Sequence, residues 1–147
     1  MGADRALFPK EEEWAAALYQ QIRLDYKDKM SYCTIWELDG IPAGHCNVNK
    51  IVYGSHAYMH LHLWNTSDRM KGMGSKLIRL SLPFFIQNLQ LEKLYSEPYA
   101  LNPAPNSALK KAGFELQDTY SCIPGTINFE QQVNLWVLSS ERIHEYK

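Results

Sequence analysis

From Ala57 to Asn65 the side chains alternate, with Met59, Leu61 and Leu63 on one side and Tyr58, His60, His62 and Trp64 on the other. That period of two belongs to a strand with one face in a core. Further on, Ile78, Leu82, Phe85 and Leu89 recur at i, i+4, i+7 and i+11, which predicts a helix from Gly74 to about Leu89. Pro83 removes one backbone hydrogen bond inside that helix and is expected to kink it. Between strand and helix lies R-M-K-G-M-G, residues 69–74. Two glycines one residue apart let the backbone turn sharply and approach a ligand, and the helix starting there offers unpaired N–H groups to an anion. The segment reads as a phosphate-binding turn, although the same pattern also makes an ordinary tight turn.

The rest of the chain supplies the partners such a strand needs. Trp14, Leu18, Ile22 and Tyr26 recur every four residues behind Glu11, Glu12 and Glu13, predicting an amphipathic helix over about Glu11–Lys27. Tyr32–Leu38 and Ile41–Val48 are strand-like runs joined by Asp39-Gly40, a dipeptide suited to the positive φ angles of a tight hairpin. Leu91–Glu97 reads as a strand, Pro105–Lys111 as a short helix ended by Gly113, and Phe114–Tyr120 as a strand. A turn at Pro124-Gly125 and a last strand at Val133–Ser139 follow. Hairpins in front and strands alternating with helices behind imply a mixed α/β sheet. With no internal repeat or linker, residues 1–147 are expected to form a single domain.

Fifteen basic and sixteen acidic residues leave a net charge of −1, and neither sign forms a block, so nothing here resembles a nucleic-acid footprint. No apolar run approaches the roughly 20 residues that cross a bilayer, and the N-terminus carries Asp4, Arg5 and Lys10 in place of a signal-type apolar core. A soluble, cytoplasmic protein is expected. Cys33, Cys46 and Cys122 are odd in number and lack C-x-x-C spacing, which argues against a disulfide framework or a structural zinc site. His45, His56, His60 and His62 offer a rival metal reading, since H-x-H on a strand places two imidazoles on one face, but no carboxylate stands at an obvious spacing.

A second segment, N-P-A-P-N-S-A-L-K-K-A-G-F at residues 102–114, gives the glycine loop its context. Together the two resemble the GNAT acetyltransferase superfamily. Its cofactor loop, R/Q-x-x-G-x-G/A, is matched by Arg69, Gly72 and Gly74. Its later helix, opening with Asn and closing in K-x-G-F, is matched by Asn102, Lys111, Gly113 and Phe114. The resemblance covers roughly residues 31–139. It implies a twisted, mostly antiparallel sheet with a central parallel pair that splays, flanked by helices, and acetyl-CoA as co-substrate without a metal. Carried over, Ala57–Asn65 and Leu91–Glu97 are the splayed strands, and backbone at Leu63 and Trp64 holds the pantetheine arm. The backbone N–H groups of Met70, Lys71, Gly72, Met73, Gly74 and Ser75 then hold the pyrophosphate, assisted by the Arg69 and Lys71 charges. Asn102 and Asn106 contact the arm or the nucleotide end.

The implied reaction is direct attack of an amine on the thioester, which needs an oxyanion donor and a general base for an ammonium whose pKa is about 10 when it is of lysine type. His62, His60 and Glu97 are the candidates, in that order. Each has an alternative role, the histidines in a satisfied sheet surface and Glu97 in a structural contact. Two departures from the family pattern stand out. Leu109 occupies the position of a tyrosine that protonates the leaving thiolate, so Tyr99 or a water takes that role or the thiolate leaves unprotonated. The nine or ten residues before the predicted first helix are also expected to be too few for the strand and helix that the family usually has there, and a homodimer could supply that wall of the acceptor site. The acceptor is expected to be a small-molecule or peptide amine, with Trp36, Trp64, Tyr95, Tyr99 and Trp136 either lining its pocket or forming core. The alternative is a regulatory module that binds acetyl-CoA and transfers nothing.

Overall fold

The structure, a computed structural model, describes residues 6, 8–65, 72–124 and 128–147. Its elements are α1 (Glu11–Arg23), β1 (Tyr32–Leu38), β2 (Ile41–Val52), β3 (His56–Leu63), α2 (Met73–Leu89), β4 (Lys93–Ser96), α3 (Pro103–Ala112), β5 (Glu115–Cys122), β6 (Gln131–Leu138) and α4 (Ser140–His144). A single 3-10 turn at Tyr26–Asp28 joins α1 to the sheet. Gly125, half of the expected turn before the last strand, lies outside the described residues.

The six strands form one sheet in the order β1-β2-β3-β4-β6-β5. Every neighbouring pair is antiparallel except β3 and β4, whose parallel pairing is made possible by the α2 crossover. Asp39 and Gly40 have φ of 52° and 78°, the two positive angles of a type I′ turn, and they close the β1–β2 hairpin at Leu38–Ile41. β2 runs past the expected Val48 to Val52 by way of a bulge between Asn49 and Val52, where Lys50 adopts φ 47°.

The core lies between one face of the sheet and α2 with α3. Leu77, Ile78, Leu82, Phe85, Ile86 and Leu89 on α2 pack with Val48, Ala57, Met59 and Leu94, each large apolar side chain contributing about 1.5–3 kcal/mol on burial. α2 continues through Pro83 as one helix. α3 starts two residues earlier than expected because Asn102 Oδ1 accepts from the Ala104 N–H at 3.3 Å. Pro103 and Pro105 then fall in the first turn, where no N–H is required. Gly113, at φ 100°, ends the helix in the left-handed cap expected of it. α4 is too short for periodicity to reveal, yet it buries Ile143.

α1 departs from its expected role. It stops at Arg23, four residues short, and none of its residues is buried, with Trp14 48% and Ile22 71% exposed. Polar contacts hold its end instead: Gln21 Oε1 accepts from the Met30 and Ser31 N–H groups at 2.9 and 3.1 Å. Lys29 Nζ donates to the Gln21 carbonyl, a second donor beside the Leu24 N–H that closes the last turn.

Candidate active site

β3 and β4 pair over only three positions, His56–Lys93, Ala57–Leu94 and Tyr58–Tyr95. Beyond these, β3 stays with β2 as far as Leu63–Gly44, and β4 stays with β6 as far as Ser96–Trp136, so the two parallel strands part. At the closed end of the resulting V, buried Ser96 donates its hydroxyl to the Met59 carbonyl at 2.9 Å. From Met59 to Leu63 the open side spans about 13 Å at roughly 3.3 Å per residue.

Strand register decides which peptide groups face the V. The Trp64 N–H donates to the Ala43 carbonyl on β2 at 2.9 Å. In an antiparallel ladder the hydrogen-bonding direction alternates, so His62 and His60 also turn their peptide groups toward β2, while Leu61 and Leu63 turn theirs into the V. Among the described residues no strand stands opposite Leu61 and Leu63 there. Of the two expected arm-holding positions, Trp64 thus has its N–H taken by β2, and its indole Nε1 donates to His45 Nδ1 at 3.0 Å. The peptide groups of Leu63 and Leu61 face the V.

The mouth of the V meets the N-terminus of α2. Gly72 is its N-cap at φ 84°, with no side-chain cap, so the N–H groups of Met73, Gly74 and Ser75 have no acceptor within the helix. Ser75 Oγ donates to the Gly72 carbonyl at 2.9 Å. Gly74 serves packing as well, because a Cβ there would stand 3.2 Å from Ala108 Cβ on α3. Arg69, Met70 and Lys71 lie outside the described residues. A cleft of about 570 Å³ joins the V to this helix terminus, lined by His60, His62, Leu63, Gly72, Gly74, Ser75, Glu97, Tyr99 and Asn102, with Lys111 adding an ammonium on the α3 side. That volume suits a small-molecule site.

Asn106 is placed elsewhere. Its Nδ2 donates to the Tyr99 and Asn102 carbonyls at 3.0 and 2.7 Å, and its Oδ1 accepts from Asn134 Nδ2 and Trp136 Nε1 at 2.8 and 2.7 Å. With all its polar capacity spent tying α3 to β6, it holds the cleft wall and has nothing to offer a cofactor. Replacing Asn106 with Leu is expected to lower stability by about 2–4 kcal/mol, since it strands the Asn134 and Trp136 donors. Urea unfolding checks this, and an unchanged midpoint contradicts it.

Beside the closed end stands Glu97, whose side chain is 6% exposed. Its Oε1 accepts from the Tyr120 hydroxyl, and its Oε2 lies 3.8 Å from Lys50 Nζ. Burial, then the hydrogen bond to Glu97, holds the Tyr120 hydroxyl well above the usual tyrosine range, so it remains a donor at working pH. The Lys50 ammonium also sits over the Tyr58 ring, 4.6 Å from its centroid, and Tyr58 stacks on Tyr95 at 5.1 Å. His60 Nε2 lies 3.1 Å from Asn49 Oδ1. Burial, then the Lys50 charge, pushes the His60 imidazole below its ordinary value, partly offset by Glu97, so it is neutral at pH 7. His62, the first-ranked base, lies one residue pair farther toward the mouth and is exposed.

The four histidines do not converge as a metal centre would require: His45 bonds Trp64, His56 bonds Ser55 and His60 bonds Asn49. Among the described residues no three potential ligands cluster, and no helix is long and apolar enough to cross a membrane. Trp36 and Trp136 are core, while Tyr99 lines the cleft. The roles of Ser96, Tyr120 and Lys50 carry no sequence signal, because each depends on a partner distant along the chain. Leu61 was legible in principle, since it shares its strand face with Leu63.

No family model matches the sequence, and no curated protein does. Solved structures do. The spermidine N-acetyltransferase from Vibrio cholerae, in complex with CoA and spermine, superposes with a TM-score of 0.74 at 17% identity, over 93% of this chain and 79% of that one. The aminoglycoside acetyltransferase AAC(6')-Ib, crystallised with coenzyme A and kanamycin, gives a TM-score of 0.66 at 20% identity, over 79% of this chain and 70% of that one. With its single parallel pair in an otherwise antiparallel sheet and helices packed against it, this chain has the fold of the GNAT N-acetyltransferases.

Proposed function

We propose that this protein transfers an acetyl group from acetyl-CoA to a primary amine of a small molecule or peptide. The observation that carries the reading is a V with unpaired strand edges at Leu61 and Leu63, a bare helix N-terminus at its mouth and a buried carboxylate by its closed end. Acetyl-CoA, when bound, supplies the thioester carbonyl that an amine attacks. The N–H groups of Met73, Gly74 and Ser75, with the Lys111 ammonium, suit the pyrophosphate. The peptide groups of Leu61 and Leu63 suit the amide-bearing arm, and an N–H on this edge suits the developing oxyanion.

With the arm running from the helix terminus toward the closed end, Glu97 becomes the first choice of base. It lines the cleft there and has a donor on one oxygen, while His62 stands nearer the mouth. His60, held neutral, comes second. For the leaving thiolate, Tyr99 lines the cleft, whereas Leu109 is fully buried in the core. Leu109 is also what favours the second reading, a module that binds acetyl-CoA without turnover. An assay of CoA thiol release with a panel of amines separates the two. Release that depends on an added amine supports transfer, and binding of acetyl-CoA with no release on any amine overturns it. The homodimer remains part of the proposal, with the uncovered stripe of α1 as the surface that a second copy would cover.

A further inference from the structure

The Lys50 ammonium already occupies a place suited to an acceptor amine. It pairs with Glu97 at 3.8 Å and lies over the face of Tyr58 at 4.6 Å, a carboxylate and an aromatic ring being the two groups that hold a primary ammonium best. The placement is built into the backbone. Lys50 sits in a β-bulge with φ 47°, a region that a lysine in a strand does not ordinarily enter, and bulges of this kind re-aim side chains beside functional sites. Glu97 then joins two environments, because it lines the cleft and touches Lys50. The Lys50 side chain is 54% exposed, so its stem retains freedom to move.

We infer that Lys50 is an acetyl acceptor in cis, a self-modification site served by Glu97. The inference rests on the acetyltransferase reading above. In the reaction the Lys50 ammonium gives one proton to Glu97, and the resulting amine nitrogen attacks the thioester carbonyl carbon. The C–N bond forms, the C–S bond breaks, and the second proton lost from nitrogen goes to the departing thiolate. Glu97 returns its proton to solvent, so the products are Nε-acetyl-Lys50, CoA thiol and one proton. Holding amine and base together makes the step unimolecular in protein. Acetylation also neutralises the counter-ion of Glu97 and removes the charge from above Tyr58.

The test incubates the full chain with acetyl-CoA and follows each lysine by peptide mass spectrometry, with calorimetric titration by CoA and an external amine assay run on the same sample. Lys50 is expected to gain one acetyl group about 10²-fold faster than the exposed Lys110, at a rate independent of protein concentration. Glu97→Gln is expected to reduce Lys50 to the rate of Lys110, and Lys50→Arg to remove the modified peptide. CoA binding with transfer to an external amine but an unmodified Lys50 overturns this inference and leaves the proposed function standing. Equal labelling of Lys50 and Lys110, insensitive to Glu97→Gln, overturns it as well. Absence of CoA binding overturns the functional reading and this inference together.

Discussion

Glu97→Gln lowers kcat for acetyl transfer to an external amine by about 10²–10³-fold, the range of a lost general base, while the affinity for acetyl-CoA stays near the wild-type value. Gln is isosteric, and its carbonyl oxygen still accepts from the Tyr120 hydroxyl, so the cleft wall keeps its shape. What disappears is the charge that takes the amine's proton. The rate profile discriminates further: raising the pH toward the acceptor's pKa of about 10 supplies neutral amine from solution, so the deficit of the variant narrows as pH rises. His62→Ala, at the exposed position nearer the mouth, produces a much smaller loss of kcat. Steady-state kinetics of both variants between pH 6 and 9 measures this, and a His62→Ala deficit larger than that of Glu97→Gln reverses the assignment.

Gly72→Glu weakens CoA binding by about 10²-fold, equivalent to about 3 kcal/mol, because it sets a carboxylate against the anion that the α2 N-terminus is suited to hold. The fold accommodates it: a Cβ at Gly72 meets no atom within 4 Å, so the structural penalty is the φ of 84° alone. A left-handed angle costs an L-residue about 1–2 kcal/mol, and Gly72→Ala carries that same cost without the charge. Calorimetric titration of both variants separates backbone from electrostatics. Equal CoA affinities for Gly72→Ala and Gly72→Glu contradict a phosphate role for this terminus.

The fold was legible wherever a local rule has one solution. Asp39-Gly40 specifies a type I′ turn, and β1 spans Tyr32–Leu38, the strand-like run read in front of that turn. Alternation in β3 placed Met59 on the core face, where it is fully buried, with Leu61 and Leu63 half-buried and packed against the core. Periodicity found α2 but misjudged α1, because an apolar stripe records what a helix can bury and says nothing about whether a partner stands opposite. Among the proposed site residues, Gly72 and Gly74 were legible as the start of α2, whereas side-chain contacts were not. Asn106 matches a surface expected to meet a ligand, yet four internal hydrogen bonds consume it, and only the tertiary position of Asn134 and Trp136 reveals that. Trp64 and Leu63 are adjacent and equally plausible as arm-holding backbone. The β2 register separates them, since it turns the Trp64 N–H away from the V. His62 comes first among the candidate bases for its imidazole and for an expected place nearest the thioester, whereas Glu97, on the side where the V closes, is the preferred base in the proposed function.

The most direct test of the central claim is calorimetric titration of the whole protein with acetyl-CoA and CoA, using ATP as the comparison ligand. The V and the helix terminus together predict saturable binding of both CoA forms at one site per chain, and none of ATP, which has phosphates but no arm to lie along Leu61 and Leu63. Equal binding of ATP and CoA, or no binding of either, contradicts the account.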